Sequence, residues 1–472
     1  MSAKTYTGPG RYQTPQAFRA HLQSIDAALD LIDEPGGPKS ALGKPLAVGD
    51  RVLGNRITAQ PMEGWDGTAT GLPTAHTFRR WRRFGRSGAK LVWGGEAFAV
   101  SQDGRANPNQ LFLNDAIGDA VESGLATLRA EVLEGHAEVG ESTDDLMIGL
   151  QLTHSGRFAN PAGQSAPRVA YQHPVLDDRL GVTNANVLTD ADLTAIAARY
   201  VATATAAGHT GFDFVDVKAC HGYLMHELLG ARSRRGPYGG DFDGRTRLFR
   251  EIVEGIRAAC PGLGIAVRIS IVDVPPFTKD PDTGTGVVAN APGLDEHGFG
   301  IDGLDEPFRF LELVTELGIQ LVNLTIGSPY TCPHLQRPAA YPPSDGYGSP
   351  IDPLAGVARH LLVGRSCKRA FPDLIFIGSG YSYLQEWLPH VAEYELTHGH
   401  TDSVGLGRML LSYPELLHDV LRGRAIERKR LCRTFSDCTT GPRNGMISGC
   451  FPLDPYYRAL PEAALIRAVK RK

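Results

Sequence analysis

Short apolar runs recur along the chain, separated by longer stretches in which hydrophobic residues follow helical spacing. Eight of these runs read as strands, because each is almost continuously apolar instead of alternating. That pattern is typical of parallel strands buried on both faces. The eight runs are 55–61, 89–93, 146–152, 211–217, 264–269, 321–324, 374–377 and 403–406.

Helical patterns lie between several of these runs. The clearest cover 193–207, 247–259 and 307–317, the first of them after the cap-like pair Thr189-Asp190. Strands that alternate with helices predict βα units and a parallel sheet. Eight such units favour a closed (β/α)8 barrel. A doubly wound sheet is the alternative, but no early G-x-G-x-x-G follows a strand to support it.

The remaining segments are predicted additions to the barrel. Residues 1–45 form an N-terminal extension with a helix over 14–32, and 46–425 form the barrel itself. Within the barrel, 273–306 and 327–353 are rich in Gly, Pro or Asp and are predicted to be long loops after the fifth and sixth strands. Such loops lie at the C-terminal face of a barrel, where active sites form. Residues 426–472 form a tail.

Composition excludes several classes of protein. Hydrophobic residues make up 42% and charged residues 21% of the 472, and the net charge is −4, which gives no reason to expect a nucleic-acid or membrane partner. No apolar run reaches the roughly 20 residues that span a bilayer, and the N-terminus lacks a signal core. We therefore expect a cytoplasmic protein. Its seven Cys residues, an odd number in a long chain, do not suggest a disulfide framework.

Polar and glycine residues follow the predicted strands where those strands end. After the seventh and eighth runs come Gly380 and the pair Gly407-Arg408. Barrels often bind phosphate through these two loops. Glycine lets backbone N–H groups approach the anion, and arginine adds a bidentate charge. The two strand ends together predict a phosphate site.

Four segments carry a resemblance to a known family. They are GLQLTHSGR after the third strand, HGYL after the fourth, VRIS in the fifth and LGR at the eighth. In this order the chain, from about 46 to 423, resembles the old yellow enzyme family of FMN-dependent ene-reductases. It also resembles the larger 2,4-dienoyl-CoA reductases and trimethylamine dehydrogenases.

The resemblance implies FMN as cofactor and NADH or NADPH as electron donor. The positions that match flavin contacts are Pro61, Met62, Ala97, Gln151 and Arg268, and those that match the phosphate site are Gly380, Gly407 and Arg408. Gln151 can both donate to and accept from the isoalloxazine edge. Arg268 can stabilise negative charge on the reduced flavin.

The fourth strand carries the substrate chemistry that the resemblance implies. Relatives place His-x-x-His or His-x-x-Asn there to hold a carbonyl oxygen, with a proton-donating Tyr two residues later. Here the pattern is Lys218-x-x-His221-x-Tyr223. Hydride would pass from flavin N5 to the β-carbon of an activated alkene, and Tyr223 would protonate the α-carbon. Lys218, as a positive donor, is expected to favour a more anionic acceptor. His154 and Arg157 are expected to support the site.

Glu63 departs from the family pattern, since relatives usually place Thr or Cys there. A carboxylate near the flavin could tune its potential, or accept a proton if the enzyme oxidises its substrate. The alternative is that the Glu63 side chain turns away from the flavin and forms a salt bridge. Both interpretations stay open.

The tail departs from the family as well. The dienoyl-CoA reductase branch binds a 4Fe–4S cluster through C-x2-C-x3-C-x11-C. Here Cys438-x11-Cys450 keeps the second half, Leu431 and Thr434 occupy the first two ligand positions, and Cys432 is out of register. Four thiolates hold such a cluster, so we expect no cluster and no other metal. We also expect no FAD module, because the chain ends at residue 472.

The sequence therefore predicts an FMN-dependent NAD(P)H oxidoreductase that reduces an enone or enoate. Its expected partner is a small molecule with a polarised double bond. Whether the chain forms a homo-oligomer stays open. Three other functions also stay open. The same barrel could run as an oxidase or dehydrogenase, Lys218 could form a Schiff base in a lyase, or the site could be a degenerate flavin scaffold.

Overall fold

A ring of eight parallel strands forms the centre of the molecule in the computed structural model, which describes residues 6–289 and 303–471. Going around the ring, β3 pairs with β4, then β6, β7, β8, β11, β12 and β13, and β13 pairs with β3 again. The predicted (β/α)8 barrel is confirmed. These strands are β3 (Ile57–Ala59), β4 (Leu91–Val92), β6 (Met147–Thr153), β7 (Phe214–Val217), β8 (Gly264–Val272), β11 (Leu321–Ile326), β12 (Ile375–Gly378) and β13 (Ser403–Leu406).

The strand interiors explain why the apolar runs identified them. Every residue of β6 and of β11 is buried, because one face points into the barrel and the other packs under the outer helices. The second predicted strand, 89–93, contains β4. A further short strand that was not predicted, β5 (Ala97–Ala99), follows it, and both strands pair with β6. Gly94 and Gly95, with positive φ angles of 128° and 33°, separate the two.

Helices surround the ring, and local sequence sets several of their ends. Thr189 caps α5 in a reciprocal capping box with Asp192, and the Asp241 side chain accepts from the N–H of Gly244 at the start of α7. The longer helices are α1 (Pro15–Ser24), α2 (Ala75–Gly85), α3 (Gly118–Glu138), α5 (Asp190–His209), α7 (Phe242–Ala259), α8 (Asp305–Glu316), α10 (Pro353–Ala370), α11 (Leu388–Thr397) and α16 (Glu462–Val469). The shorter ones are α4 (Leu176–Leu180), α6 (Leu224–Leu229), α9 (Pro333–Gln336), α12 (Arg408–Ser412), α13 (Leu416–Leu421), α14 (Asp437–Arg443) and α15 (Pro455–Arg458).

The additions to the barrel have more structure than the sequence predicted. Two strands, β1 (Leu46–Val48) and β2 (Arg51–Leu53), form a hairpin before the barrel. The loop after β8 holds another, β9 (Phe277–Lys279) with β10 (Gly286–Val288). Of the predicted loop 273–306, residues 290–302 lie outside the described part. The first helix is shorter than the predicted 14–32, since it ends at Ser24 and Asp26 takes a left-handed φ of 51°.

The tail folds back onto the barrel. It contains α14, α15 and α16, and it has a small apolar core of its own made of Phe451, Tyr457, Ala463 and Ile466. The backbone N–H of Ser448 donates to Gly64 O at 2.8 Å, so the tail reaches the end of β3. Within the described residues, none of the helices has the length and apolar character needed to cross a bilayer.

Candidate functional site

A cavity of about 250 Å³ opens at the carboxyl ends of the barrel strands. It brings together eleven of the twelve site residues predicted from the sequence: Pro61, Met62, Glu63, Gln151, Lys218, His221, Tyr223, Arg268, Gly380, Gly407 and Arg408. The twelfth, Ala97, is buried in β5, where its carbonyl accepts from the Gln110 amide, and it is not among the lining residues. The eleven lining residues come from six different strand ends, which is how a barrel assembles a site.

A tight turn after β7 presents three of these side chains. His221 has a left-handed φ of 68° and Gly222 follows at 77°. The N–H of His221 donates to Ser270 Oγ at 3.0 Å, and its carbonyl accepts from Ser328 Oγ at 2.7 Å. A positive φ costs a non-glycine residue roughly 1–3 kcal/mol and persists where the surroundings enforce it. The neighbouring strands β8 and β11 thus hold Lys218, His221 and Tyr223 in one orientation.

Glu63 joins this turn from the opposite side of the cavity. Its carboxylate lies 3.2 Å from Lys218 Nζ and accepts from the Tyr223 hydroxyl at 3.2 Å and from Trp65 Nε1 at 2.7 Å. The salt bridge therefore forms, and it forms inside the cavity. The expectation of an anionic acceptor rested on a free positive charge at Lys218. Because the Lys218 ammonium is paired with Glu63, it offers no such charge.

The Tyr223 hydroxyl sits where it can hold a proton. The residue is 2% exposed, and its oxygen lies 3.0 Å from the Tyr330 hydroxyl. Burial, with the negative charge of Glu63 beside it, raises the pKa of Tyr223 well above its usual value. Tyr223 is consequently a protonated donor throughout the physiological pH range.

His221 is a neutral imidazole. Burial, together with the charges of Arg268 and Lys218, lowers its pKa well below the ordinary value. Its Nε2 lies 3.1 Å from the Gln336 amide nitrogen. If the amide donates there, the ring proton is on Nδ1, and His221 is a hydrogen-bond donor without charge.

Gln151 and Arg268 line the inner wall around a buried carboxylate. Asp216 accepts from Gln151 Nε2 at 2.6 Å, from Trp93 Nε1 at 2.7 Å and from the Arg268 backbone N–H at 2.7 Å. Burial raises the pKa of Asp216 to about 6. Nε of Arg268 is buried and has no hydrogen-bond partner among the described residues. This wall fixes the amide of Gln151 and leaves donor capacity on Arg268.

The cavity is also rich in arginine near the ends of β12 and β13. Gly380, with a φ of 98°, and Gly407 lie here at the ends of β12 and β13, beside Arg408. Two further guanidiniums, Arg337 and Arg443, line the same cavity. They come from the loop after β11 and from the tail. Arg443 is paired with Asp345, whereas Arg337 and Arg408, beside the glycine-bearing turns, suit a phosphorylated ligand.

A buried ionic cluster holds the strand end that carries Glu63. Arg80, 2% exposed, donates to Met62 O at 3.0 Å and pairs with Asp66 and Glu96 at 2.8 and 2.6 Å. Glu96 in turn accepts from the Gly64 N–H at 3.1 Å. The backbone on both sides of Glu63 is thereby fixed, although neither Arg80 nor Glu96 touches the cavity.

Three tail cysteines meet at a small cavity next to Arg408. Cys432, Cys438 and Cys450 all line it, although Cys432 is out of register in the sequence motif. Within residues 6–289 and 303–471, no three His, Cys, Asp or Glu side chains are grouped so that they could hold a metal ion. Cys438 also lines the main cavity.

Sequence reasoning missed several lining residues. Trp65, Tyr330, Gln336, Arg337 and Arg443 belong to the site, and all but Trp65 lie in the predicted 327–353 loop or in the tail. The position of Trp65, two residues after Glu63, was the available signal. Conversely, His154 and Arg157 lie outside the cavity, and Arg157 pairs with Glu227 and Asp177.

Comparison with known proteins gives matches to flavin-dependent oxidoreductases. Residues 41–287, just over half of the chain, match the family model described as NADH:flavin oxidoreductase / NADH oxidase. The NADPH dehydrogenase of Bacillus subtilis (strain 168) is 29% identical over 236 residues, covering 48% of this chain and 63% of that protein. An NADH:flavin oxidoreductase of Gibberella zeae is 26% identical over 265 residues, covering 51% of this chain and 60% of that protein. The matches thus span less than two thirds of these relatives.

Solved structures share the fold. A 2-naphthoyl-CoA reductase bound to 2-naphthoyl-CoA has a TM-score of 0.66 at 17% identity, covering 88% of this chain and 57% of that one. The old yellow enzyme homologue of Zymomonas mobilis has a TM-score of 0.55 at 20% identity, covering 82% and 94%. Histamine dehydrogenase from Rhizobium sp. 4-9 has a TM-score of 0.61 at 18% identity, covering 88% and 52%. At these identities the likeness is one of fold.

Proposed function

The chain belongs to the NADH:flavin oxidoreductase / NADH oxidase family, and we propose that it is an FMN-dependent reductase that uses NADH or NADPH to reduce a polarised C=C bond. The observation that carries the proposal is the turn after β7. It presents Lys218, His221 and Tyr223 to the same cavity that Gln151 and Arg268 line. One cavity thus joins the residues for a cofactor with those for a substrate.

The cavity fits FMN in its charge. Its lining includes Arg268, Arg337 and Arg408, none of which has a carboxylate within 4.0 Å among the described residues. Nε of Arg268 and Nη1 of Arg408 are buried without a hydrogen-bond partner there. Gln151 and Arg268 would hold the isoalloxazine, and Gly380, Gly407 and Arg408 the phosphate. When bound, FMN supplies the hydride chemistry that side chains lack.

The residues of the β7 turn would bind and protonate the substrate. Lys218 and His221 donate hydrogen bonds to its carbonyl oxygen, which draws electron density away from the conjugated double bond. Tyr223 gives its hydroxyl proton to the α-carbon as general acid. The raised pKa of Tyr223 keeps that proton in place until the carbon becomes basic.

Glu63 shapes the choice of substrate by neutralising Lys218. A carboxylate substrate would bring a second negative charge close to Glu63, whereas an uncharged carbonyl needs only the donors. We therefore expect enones to be reduced better than enoates.

The test is a comparison of the two substrate classes under anaerobic conditions. The purified protein is supplied with FMN, NADPH or NADH, and either 2-cyclohexenone or a matched α,β-unsaturated carboxylate. The proposal predicts oxidation of the nicotinamide that depends on the enone, with the saturated ketone as product. Reduced flavin that is never reoxidised by either alkene would contradict it.

A second function, oxidation of a substrate on the same barrel, is favoured by one observation. Glu63 already accepts a hydrogen bond from Tyr223, so the pair could take a proton from a substrate instead of giving one. That function predicts flavin bleaching by a saturated ketone or an amine without nicotinamide. The absence of bleaching by both would remove it.

A further inference from the structure

The positive charges of the cavity fall into two groups. Lys218 is paired with Glu63, and Arg443 with Asp345. Arg268, Arg337 and Arg408 have no such partner, since none of the ion pairs found in residues 6–289 and 303–471 includes any of them. Arg268 lies on the inner wall beside Gln151, which leaves Arg337 and Arg408 near the ends of β12 and β13. Burial and the charge of Arg408 lower the pKa of Arg337 to about 10. Two neighbouring guanidiniums that line a cavity without a carboxylate partner favour a dianionic ligand.

A direct link brings these two arginines together. Arg408 Nη2 donates to Pro338 O at 2.9 Å, and Pro338 is the residue that follows Arg337. Nη1 of Arg408 is buried and has no partner among the described atoms. The side chain at the end of β13 thus fastens the loop that carries the second guanidinium.

The tail supports Arg337 from the other side. Arg337 Nη1 donates to Thr439 Oγ1. Two neighbouring tail hydroxyls accept from the backbone of the same loop, Thr434 from Ala340 N at 2.9 Å and Thr440 from Ser344 N at 3.2 Å. The tail therefore determines where the Arg337 guanidinium lies.

We propose that Arg337, positioned by Thr439 of the tail, forms with Arg408 a two-guanidinium site for the phosphate dianion of FMN. This inference rests on the proposed function and adds to it a cofactor-binding residue and a structural role for the tail. The tail is, on this account, part of the cofactor site. Arg443 is not, because Asp345 and Pro329 O occupy its guanidinium.

Discrimination between FMN and riboflavin tests the proposal, since the two differ in the phosphate alone. The full-length protein is stripped of flavin, and the dissociation constants of both flavins are measured by quenching of flavin fluorescence. Arg337→Met should weaken FMN binding roughly 10- to 100-fold, the loss expected for charged hydrogen bonds, and leave riboflavin binding unchanged. Thr439→Val should do the same to a smaller degree. Arg443→Met is the matched control, and its ratio of the riboflavin to the FMN dissociation constant should stay within about threefold of the wild-type ratio.

The wild-type protein gives an independent check that does not depend on a variant folding. Inorganic phosphate should compete with FMN and not with riboflavin. If Arg337→Met weakens both flavins equally, or if phosphate competes with neither, the site is overturned while the proposed function stands. If the wild-type protein binds neither flavin, both the phosphate site and the proposed function are wrong.

Discussion

Replacing Tyr223 with phenylalanine removes one oxygen atom and keeps the ring, which is 2% exposed and lies 4.0 Å below Lys218 Nζ. The loss includes the hydrogen bond to Glu63 and the 3.0 Å contact with the Tyr330 hydroxyl. Each contributes about 1 kcal/mol, so the variant should fold. Under the proposed mechanism, the variant also loses the proton for the α-carbon.

The two half-reactions, reduction of the flavin by NADPH and its reoxidation by the alkene, should respond differently to Tyr223→Phe. A positioned general acid contributes roughly 10²- to 10⁴-fold, so reoxidation of the reduced protein by 2-cyclohexenone should slow by that factor. Reduction by NADPH needs no proton from Tyr223 and should stay within about threefold. Stopped-flow absorbance of the flavin band, under anaerobic conditions, measures the halves separately.

Tyr330→Phe is the matched control. Its hydroxyl contacts Tyr223 but is not assigned to the substrate, so it should slow reoxidation by less than about tenfold. Because the pKa of Tyr223 is raised well above its usual value, the wild-type rate should not fall through loss of this proton between pH 6 and 9. Equal slowing of both half-reactions in Tyr223→Phe, or no slowing of either, would show that Tyr223 is not the proton donor.

Three further predictions concern the groups around the cavity. Glu63→Gln and Lys218→Met should couple by about 1–3 kcal/mol in urea unfolding of the flavin-bound protein, because either change alone leaves a buried partner unpaired; additive effects would show that the pair does not act as a unit. Burial raises the pKa of Asp216 to about 6, so the protonated carboxyl stabilises the fold fully below the pKa that it has in the unfolded chain, and this stabilisation is lost as the pH rises through the folded pKa. Relative to Asp216→Asn, the free energy of unfolding of the wild type should therefore fall by about 2–3 kcal/mol between pH 4 and 6. Parallel plots of unfolding free energy against pH for the two proteins would contradict this. Arg80→Met leaves two buried carboxylates without their cation and should cost about 3–5 kcal/mol of unfolding free energy, whereas a change below 1 kcal/mol would show that the cluster does not hold the end of β3.

The barrel was predictable because its strands are short, buried on both faces and separated by helices. Those properties are local, so single apolar runs such as 146–152 and 403–406 identify β6 and β13. The strand ends alone predicted Gly380, Gly407 and Arg408, whereas the flavin and substrate positions came from the resemblance to the old yellow enzyme family. The fold places the ends of all parallel strands on one rim.

The parts that the sequence did not reveal depend on contacts between distant segments. Arg337 lines the cavity because the tail, about a hundred residues later, holds its loop through Thr439. The pairing of Glu63 with Lys218 joins residues 155 positions apart, and the motif alone left its orientation open. Neither contact leaves a periodicity or a residue spacing in the sequence from which it could be predicted.

We propose above all that this barrel binds FMN and passes electrons from a nicotinamide to an activated alkene. An anaerobic absorbance spectrum of the purified protein, supplied with FMN, tests it most directly. A bound flavin band should bleach with NADPH or NADH and return when 2-cyclohexenone is added. A protein that binds no flavin, or a bound flavin that neither nicotinamide reduces, would contradict it.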